Sequence, residues 1–171
     1  MKGRRRIATR VLVLFLLMLI MAACGGKSAV DPQAPAVGAA FASKAVAVCQ
    51  AVLARKKAQG PFPYPGFNPT QPDASKFPVV AQFLTKTVDT FQSWLHQMQA
   101  LGQPPAGQAA WADLLKSIAD HVRLDVEQQA AAQSGDSQTF TKDYYGGQQT
   151  QADLFRAADA AGVPECAAVD R

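Results

Sequence analysis

Five polar side chains in the second half of the chain have types and spacings that could bind a ligand. They fall at helical angles that otherwise carry apolar residues, and they are Asp125, Gln129, Tyr144, Gln148 and Gln151. Buried polar groups need hydrogen-bond partners. These five could bond to one another as a network between helices, or line a pocket whose ligand completes their bonds. A third interpretation is that the helix phase differs by one residue, which would leave them in solvent.

His121 and Asp125 lie one helical turn apart, a spacing that can hold a metal ion or orient an imidazole. Two ligands do not make a metal site, and the second histidine, His96, falls on the polar face of another helix. The chain has only two glutamates, too few for the carboxylate set of a ferritin-like bundle. It also has no hydrolase, metalloprotease or phosphate-loop motif. We therefore expect no metal, no cofactor and no enzymatic activity.

The N-terminal residues indicate a covalent role for Cys24. A basic segment comes first, and an uninterrupted apolar stretch then runs from Val11 to Met21. Two alanines follow and lead directly to the cysteine. This order is typical of a secretory signal peptide. The apolar stretch is shorter than the ~20 residues of a membrane-spanning helix.

With Cys24 at its end, this segment resembles the lipobox of bacterial lipoproteins, although Met21 stands where leucine is usual. The resemblance implies cleavage after residue 23 and a diacylglyceryl group on the sulfur of Cys24. Two acyl chains hold a protein stably on a membrane, since each buried CH₂ contributes about 0.8 kcal/mol. The expected location is the extracytoplasmic face of the cell membrane, or an outer membrane where one exists. The alternatives are ordinary secretion with a plain Cys24 thiol, and an uncleaved single span.

Removal of residues 1–23 changes the charge of the protein. The full chain has 17 basic and 13 acidic residues, and five of the basic residues precede Cys24. The mature chain is therefore close to neutral, and it has no basic cluster of the kind that binds nucleic acid. The basic run Arg55-Lys56-Lys57 is interpreted as a helix C-terminus that interacts with the helix dipole. We expect no nucleic-acid partner.

Two further cysteines, Cys49 and Cys166, form an even pair in an oxidising compartment. We expect them to be disulfide-bonded; the alternative is two free buried thiols. Cys49 falls in the first predicted helix and Cys166 follows the last one. The bond would therefore hold the C-terminal tail against the first helix.

The chain divides into a cleaved signal peptide (1–23), a lipidated cysteine with a flexible tether (24–36) and a helical domain (37–171). Hydrophobic periodicity and helix-breaking residues predict four helices and no strand. The predicted helices span about residues 37–59, 75–101, 109–133 and 137–161. Gly146-Gly147 predicts a kink or a split in the fourth. Short connections favour antiparallel neighbours, so the predicted fold is an all-α, up-down-up-down four-helix bundle.

The connection between the first two helices, residues 60–78, carries six prolines and four aromatic residues. Connections of this length are often functional. Alternating proline and aromatic residues make a stiff, extended strip, on which Phe62, Tyr64 and Phe67 could form a recognition surface. They could instead cover the end of the core. The cover is favoured, because this many exposed aromatic rings would promote aggregation.

Beyond the lipobox, about residues 45–168 resemble the small all-helical lipoproteins of actinobacteria. The resemblance rests on a cysteine in the first helix, the Leu101–Pro105 turn before a tryptophan, the Gln128–Asp136 run and the closing Ala160–Cys166. It implies no active site. Our leading hypothesis is non-catalytic binding of a protein or another envelope component, through a bundle face or the 60–78 connection. The alternative is a small-molecule carrier with a polar pocket inside the bundle. The sequence does not determine the oligomeric state.

Overall fold

The computed structural model describes residues 36–64 and 66–170, and this part of the protein is all helical. Four long helices pack against one another: α1 (Ala39–Gln59), α2 (Phe77–Ala100), α3 (Gln108–Ser134) and α4 (Ser137–Ala161). Short 3-10 helical segments precede α2 and follow α4, at Ala74–Lys76 and Pro164–Asp170. The described residues contain no strand. The all-α prediction and the helical bundle are confirmed.

The predicted signal peptide and Cys24 lie outside the described residues, as does the tether up to residue 35. Their cleavage, lipidation and flexibility remain predictions. None of the described helices combines the length and the apolar character needed to cross a bilayer.

The helix boundaries differ from the predicted ones by at most two residues. Val37, predicted to open the first helix, is fully buried before it, and its N–H donates to the Ala161 carbonyl at 3.4 Å. Gly38 follows with a φ of 81°, which is outside the helical region, so α1 begins at Ala39. The second helix also begins two residues later than predicted, because Ala74–Lys76 form a separate 3-10 turn.

α4 runs without interruption through Gly146 and Gly147, so the predicted split at these glycines does not occur. Gly146 faces α3, where an added Cβ would lie 3.5 Å from both δ-carbons of Leu124. Packing along the length of α3 offsets the low helix propensity of the two glycines. Asp136 caps the first turn by accepting two backbone N–H hydrogen bonds, at 3.0 and 3.1 Å.

Buried side chains form two apolar clusters. The larger cluster draws on all four helices and on the C-terminal segment, and its largest fully buried members are Trp94, Trp111, Phe91 and Met98. The smaller cluster joins the first half of α2 to the residues that flank the α3–α4 connection. Its members are Phe77, Val80, Ala81, Leu84, Ala131, Ala132 and Phe140.

A disulfide joins Cys49 of α1 to Cys166 of the C-terminal segment, with an S–S distance of 2.05 Å. This confirms the predicted pairing. Both cysteines are buried. The Pro164–Asp170 segment packs against both α1 and α4. Lys56 Nζ also donates to the Val169 carbonyl at 2.8 Å, so a covalent and a polar contact both hold the tail on α1.

We expect Gly147→Ala to raise the free energy of unfolding by about 0.5–1 kcal/mol, because glycine inside a helix is disfavoured relative to alanine. Among the described residues, no neighbouring group lies within 4 Å of the Cβ position that alanine would add. Gly135→Ala is the matched control and should lower the free energy of unfolding, because Gly135 has a φ of +75°. Urea unfolding followed by circular dichroism measures both variants. Destabilisation by Gly147→Ala would contradict a continuous α4.

Replacing both Cys49 and Cys166 by alanine should lower the free energy of unfolding by about 2–4 kcal/mol, the usual effect of removing a disulfide. The two cysteines are 117 residues apart, so the bond restricts most of the unfolded chain. Urea unfolding of the oxidised protein, the reduced protein and the double variant measures the effect. The reduced protein should match the double variant. A double variant as stable as the oxidised protein would show that the tail needs no covalent link.

Candidate functional site

A cleft between α3 and α4 brings together most of the polar residues singled out from the sequence. Its volume is about 280 Å³. Its walls are formed by His121, Leu124, Asp125 and Gln128 of α3, and by Asp143, Tyr144, Gly147, Gln148 and Gln151 of α4. Four of the five residues predicted to form a pocket therefore line one cavity.

The fifth predicted pocket residue, Gln129, does not line this cleft. Its Nε2 donates to Thr85 Oγ1 at 2.8 Å, so the side chain bridges α3 to α2. The preceding residue, Gln128, lines the cleft instead. Successive residues of a helix point about 100° apart, so an error of one residue moves a side chain from one interhelical groove to the next.

Asp143 is the most deeply buried ionisable residue of the cleft. Its side chain is 4% exposed, and its Oδ2 has no hydrogen-bond partner in the described part of the protein. Burial raises the pKa of the Asp143 carboxyl, and the negative charge of Glu127 raises it further, against the opposing charges of Lys142 and Arg123. A buried carboxylate is costly unless it is paired and hydrogen-bonded. At this point of the cleft, the fold therefore leaves a buried carboxylate oxygen that needs a hydrogen-bond donor.

His121 also lines the cleft and is 7% exposed. Its Nε2 is 3.6 Å from Asp125 Oδ2, and its Nδ1 is 3.4 Å from Thr150 Oγ1. The Thr150 hydroxyl donates to the Gly147 carbonyl at 3.0 Å, so its proton is directed into the helix backbone. The neighbouring groups thus orient the imidazole at the edge of the core.

The aromatic residues of the 60–78 connection pack back onto the helices. The Phe62 ring contacts Phe83 of α2 at a centroid distance of 5.2 Å. The Phe67 ring contacts Phe140 of α4 at 5.7 Å. The three residues predicted as a recognition surface are each half-buried: Phe62, Tyr64 and Phe67.

A second groove lies between this connection and the helices, with a volume of about 320 Å³. Gln128 and Tyr144 line both this groove and the α3–α4 cleft, so the two cavities adjoin. The adjoining groove is more apolar in its lining, with Phe62, Phe67 and Phe140 among its walls.

The sequence pattern missed Asp143, although a signal for it was present. Asp143 follows Phe140 by one helical turn and shares its register with Leu154, and both of these residues are buried. A carboxylate on an apolar stripe is an unusual position for that residue type. The prediction placed Tyr144 on this face instead, whereas the structure leaves Tyr144 37% exposed.

The cleft has to be interpreted from its own chemistry. Comparison of the chain with models of protein families, with curated proteins and with solved structures finds no match. Among the residues that the structure describes, no group of three or more His, Cys, Asp or Glu side chains could hold a metal ion. The cleft combines carboxylates, an imidazole, amides and a phenol. Such a set can fix a small polar ligand by hydrogen bonds.

We expect Asp143→Asn to raise the free energy of unfolding at neutral pH, because the amide has nearly the same shape and does not place a negative charge in the buried site. The raised pKa of Asp143 means that the folded state holds the proton more tightly than the unfolded state. Proton binding by Asp143 therefore contributes to the free energy of unfolding. That contribution is fully present below the ordinary pKa of 3.8 and is lost as the pH rises through the higher pKa of the folded state. The gain in the free energy of unfolding that Asp143→Asn gives should therefore shrink as the pH falls.

Urea unfolding between about pH 3 and pH 8 tests this linkage. Asp120→Asn is the matched control, because Asp120 is more exposed and pairs with Lys116 on the surface of α3. It should give no comparable gain at any pH. If the difference in the free energy of unfolding between the original protein and Asp143→Asn does not change with pH, the raised pKa of Asp143 is contradicted.

Proposed function

We propose that this protein is a membrane-anchored extracytoplasmic lipoprotein with a non-catalytic binding role. Its ligand is a small molecule held in the α3–α4 cleft. The observation that carries this proposal is Asp143, a side chain 4% exposed whose Oδ2 has no hydrogen-bond partner among the described residues. Folded proteins leave few buried polar groups unsatisfied, and a bound ligand can supply the missing partner.

The proposed anchor rests on the order of residues before Cys24 and on the cysteine itself. The Cys49–Cys166 bond supports an extracytoplasmic location, because disulfides persist in oxidising compartments and are rare in the cytosol. In the proposed arrangement, residues 24–36 form a flexible tether. Fully extended, they would reach about 40 Å and hold the helical domain away from the membrane.

We also propose that the four helices alternate in direction as an up-down-up-down bundle. The connections from α2 to α3 and from α3 to α4 are short, and short connections favour antiparallel neighbours. In that arrangement the cleft is a groove between two antiparallel helices. Side chains spaced along both helices can then reach a single ligand.

A role in binding rather than catalysis is supported by the groups around His121. The imidazole lies 3.6 Å from Asp125 Oδ2 and 3.4 Å from Thr150 Oγ1, and the Thr150 hydroxyl donates to the Gly147 carbonyl at 3.0 Å. An activated nucleophile would need its proton directed at a base. In the described residues the shorter contact of the Thr150 hydroxyl is to the Gly147 carbonyl and not to the imidazole, which favours a binding role.

A second candidate is binding of a protein or another envelope component at the 60–78 connection. The observation that favours it is the groove of about 320 Å³ beside this connection. Tyr144 and Tyr145, which are 37% and 51% exposed, also place two aromatic rings at the α4 surface. This candidate ranks second because Phe62 and Phe67 direct their ring contacts toward the helices.

Native mass spectrometry of the protein, taken from the envelope of the producing cell without denaturation, tests the proposal. We expect a chain that begins at Cys24 with the covalent mass of a diacylglyceryl group, together with a non-covalent mass. Gln151→Leu in the cleft should remove the non-covalent mass. Gln92→Leu, an exposed change on α2 outside the cleft, is the matched control and should retain it.

The two parts of the proposal fail separately in this experiment. A chain without lipid would contradict the anchor. A lipidated chain without a non-covalent mass, or one whose extra mass survives Gln151→Leu, would contradict the cleft as the ligand site. The second result would direct attention to a partner at the 60–78 connection.

A further inference from the structure

The charged side chains that line the α3–α4 cleft are of one sign. Two carboxylates, Asp125 and Asp143, line it, and no lysine or arginine is among its described lining residues. The other ionisable lining residues are His121 and Tyr144. An anionic ligand would meet repulsion here, whereas a cation would meet attraction that is strengthened by burial.

The two carboxylates differ in how deeply they are buried and in which charged group lies nearest to them. Asp125 Oδ2 lies 3.6 Å from His121 Nε2. Asp143 is more deeply buried, and its Oδ2 has no hydrogen-bond partner in the described chain. Arg123, the nearby guanidinium, is engaged by Glu127 at 2.7 Å on the exposed surface of α3. Lys142 and Arg123 act on Asp143 through their charge, but no group among the described residues hydrogen-bonds to its Oδ2.

Building on the proposed small-molecule function, we infer that the ligand is a small organic cation with N–H donors, such as a primary ammonium or an amidinium group, and that Asp143 is its ion-pair partner. Charge-assisted hydrogen bonds from N–H donors to a carboxylate are about twice as strong as neutral ones. Rotation about the Cβ–Cγ bond of Asp143 is a soft motion that can turn either oxygen toward the ligand.

The rest of the cleft fits the same class of ligand. The side-chain carbonyl oxygens of Gln128, Gln148 and Gln151 are acceptors for further N–H groups. Tyr144 lines the cleft as well, and an aromatic ring attracts a cation over its face. A cavity of about 150 Å³ takes up benzene. The cleft of about 280 Å³ thus has room for a ring that carries a charged substituent.

A divalent metal ion fits the cleft less well than an organic cation. The described residues provide no group of three or more His, Cys, Asp or Glu side chains that could hold one. Calcium requires about six to eight oxygen ligands at short range. An ammonium or amidinium group needs only one carboxylate and a few further acceptors, and Asp143 with the glutamines provides them.

Titration of the full-length protein in detergent with five matched probes tests this inference. Benzylamine and benzamidine are cations with N–H donors, and benzyltrimethylammonium is a cation without them. Benzyl alcohol is the neutral probe and benzoate the anionic one. Amide resonances of the residues that line the cleft report binding. We expect benzylamine and benzamidine to bind at least about tenfold more tightly than benzyl alcohol, from one charge-assisted hydrogen bond.

Two variants locate the effect. Asp143→Asn should weaken benzylamine binding by at least about tenfold, while it changes the affinity for benzyl alcohol by less than about twofold. Asp120→Asn also removes one negative charge, but at a position on α3 outside the cleft. It should leave the affinities for benzylamine and for benzyl alcohol unchanged. The circular dichroism of each variant checks that the helices remain folded.

Each remaining outcome contradicts a specific part of the inference. Equal affinity for benzylamine and benzyl alcohol, or a benzylamine affinity that survives Asp143→Asn, would overturn the cationic ligand but keep the cleft as a binding site. Benzyltrimethylammonium binding as tight as benzylamine would overturn the need for N–H donors. If no probe shifts the cleft resonances and no mass co-purifies with the protein, the proposed carrier function fails as well.

Discussion

The contact of the C-terminal segment with both α1 and α4 is the constraint on which the rest of this fold depends. α2, α3 and α4 follow one another through short connections, whereas α1 is separated from α2 by residues 60–76. α1 packs on α2 and on the Pro164–Asp170 segment, and the Cys49–Cys166 bond fixes that second contact. Without the tail, one side of the first helix would lose its partner.

The packing of α4 on α3 determines both the continuity of α4 and the shape of the cleft. Gly146 meets Leu124 in ordinary van der Waals contact, so the two helices lie close together at that point. Gly147, one residue later, lines the cleft, and no neighbouring group in the described part of the chain lies within 4 Å of the position that a Cβ would take. Within the same interface, Gly146 thus allows α4 to pack closely on α3, whereas Gly147 leaves the open space of the cleft.

Asp143 is the place where the fold departs most clearly from the rules that the rest of it follows. Elsewhere in the described core, the fully buried side chains are apolar or aromatic and pack in two clusters, although the indole N–H groups of Trp94 and Trp111 also have no hydrogen-bond partner there. A carboxylate at 4% exposure without a partner for Oδ2 lowers stability. Departures of this kind concentrate at functional sites, where stability is given up for binding.

The sequence by itself determined the helical class and four helix positions to within two residues, because hydrophobic periodicity and helix breakers are local signals. It also determined the Cys49–Cys166 pairing, because only these two cysteines remain once Cys24 is assigned to the lipid. Only the tertiary structure decided that Asp143 and not Tyr144 faces inward, and that Gln128 and not Gln129 lines the cleft. Where polar residues and glycines interrupt an apolar stripe, neighbouring helical positions are about 100° apart and the pattern does not choose between them. Contact with the partner helix makes that choice.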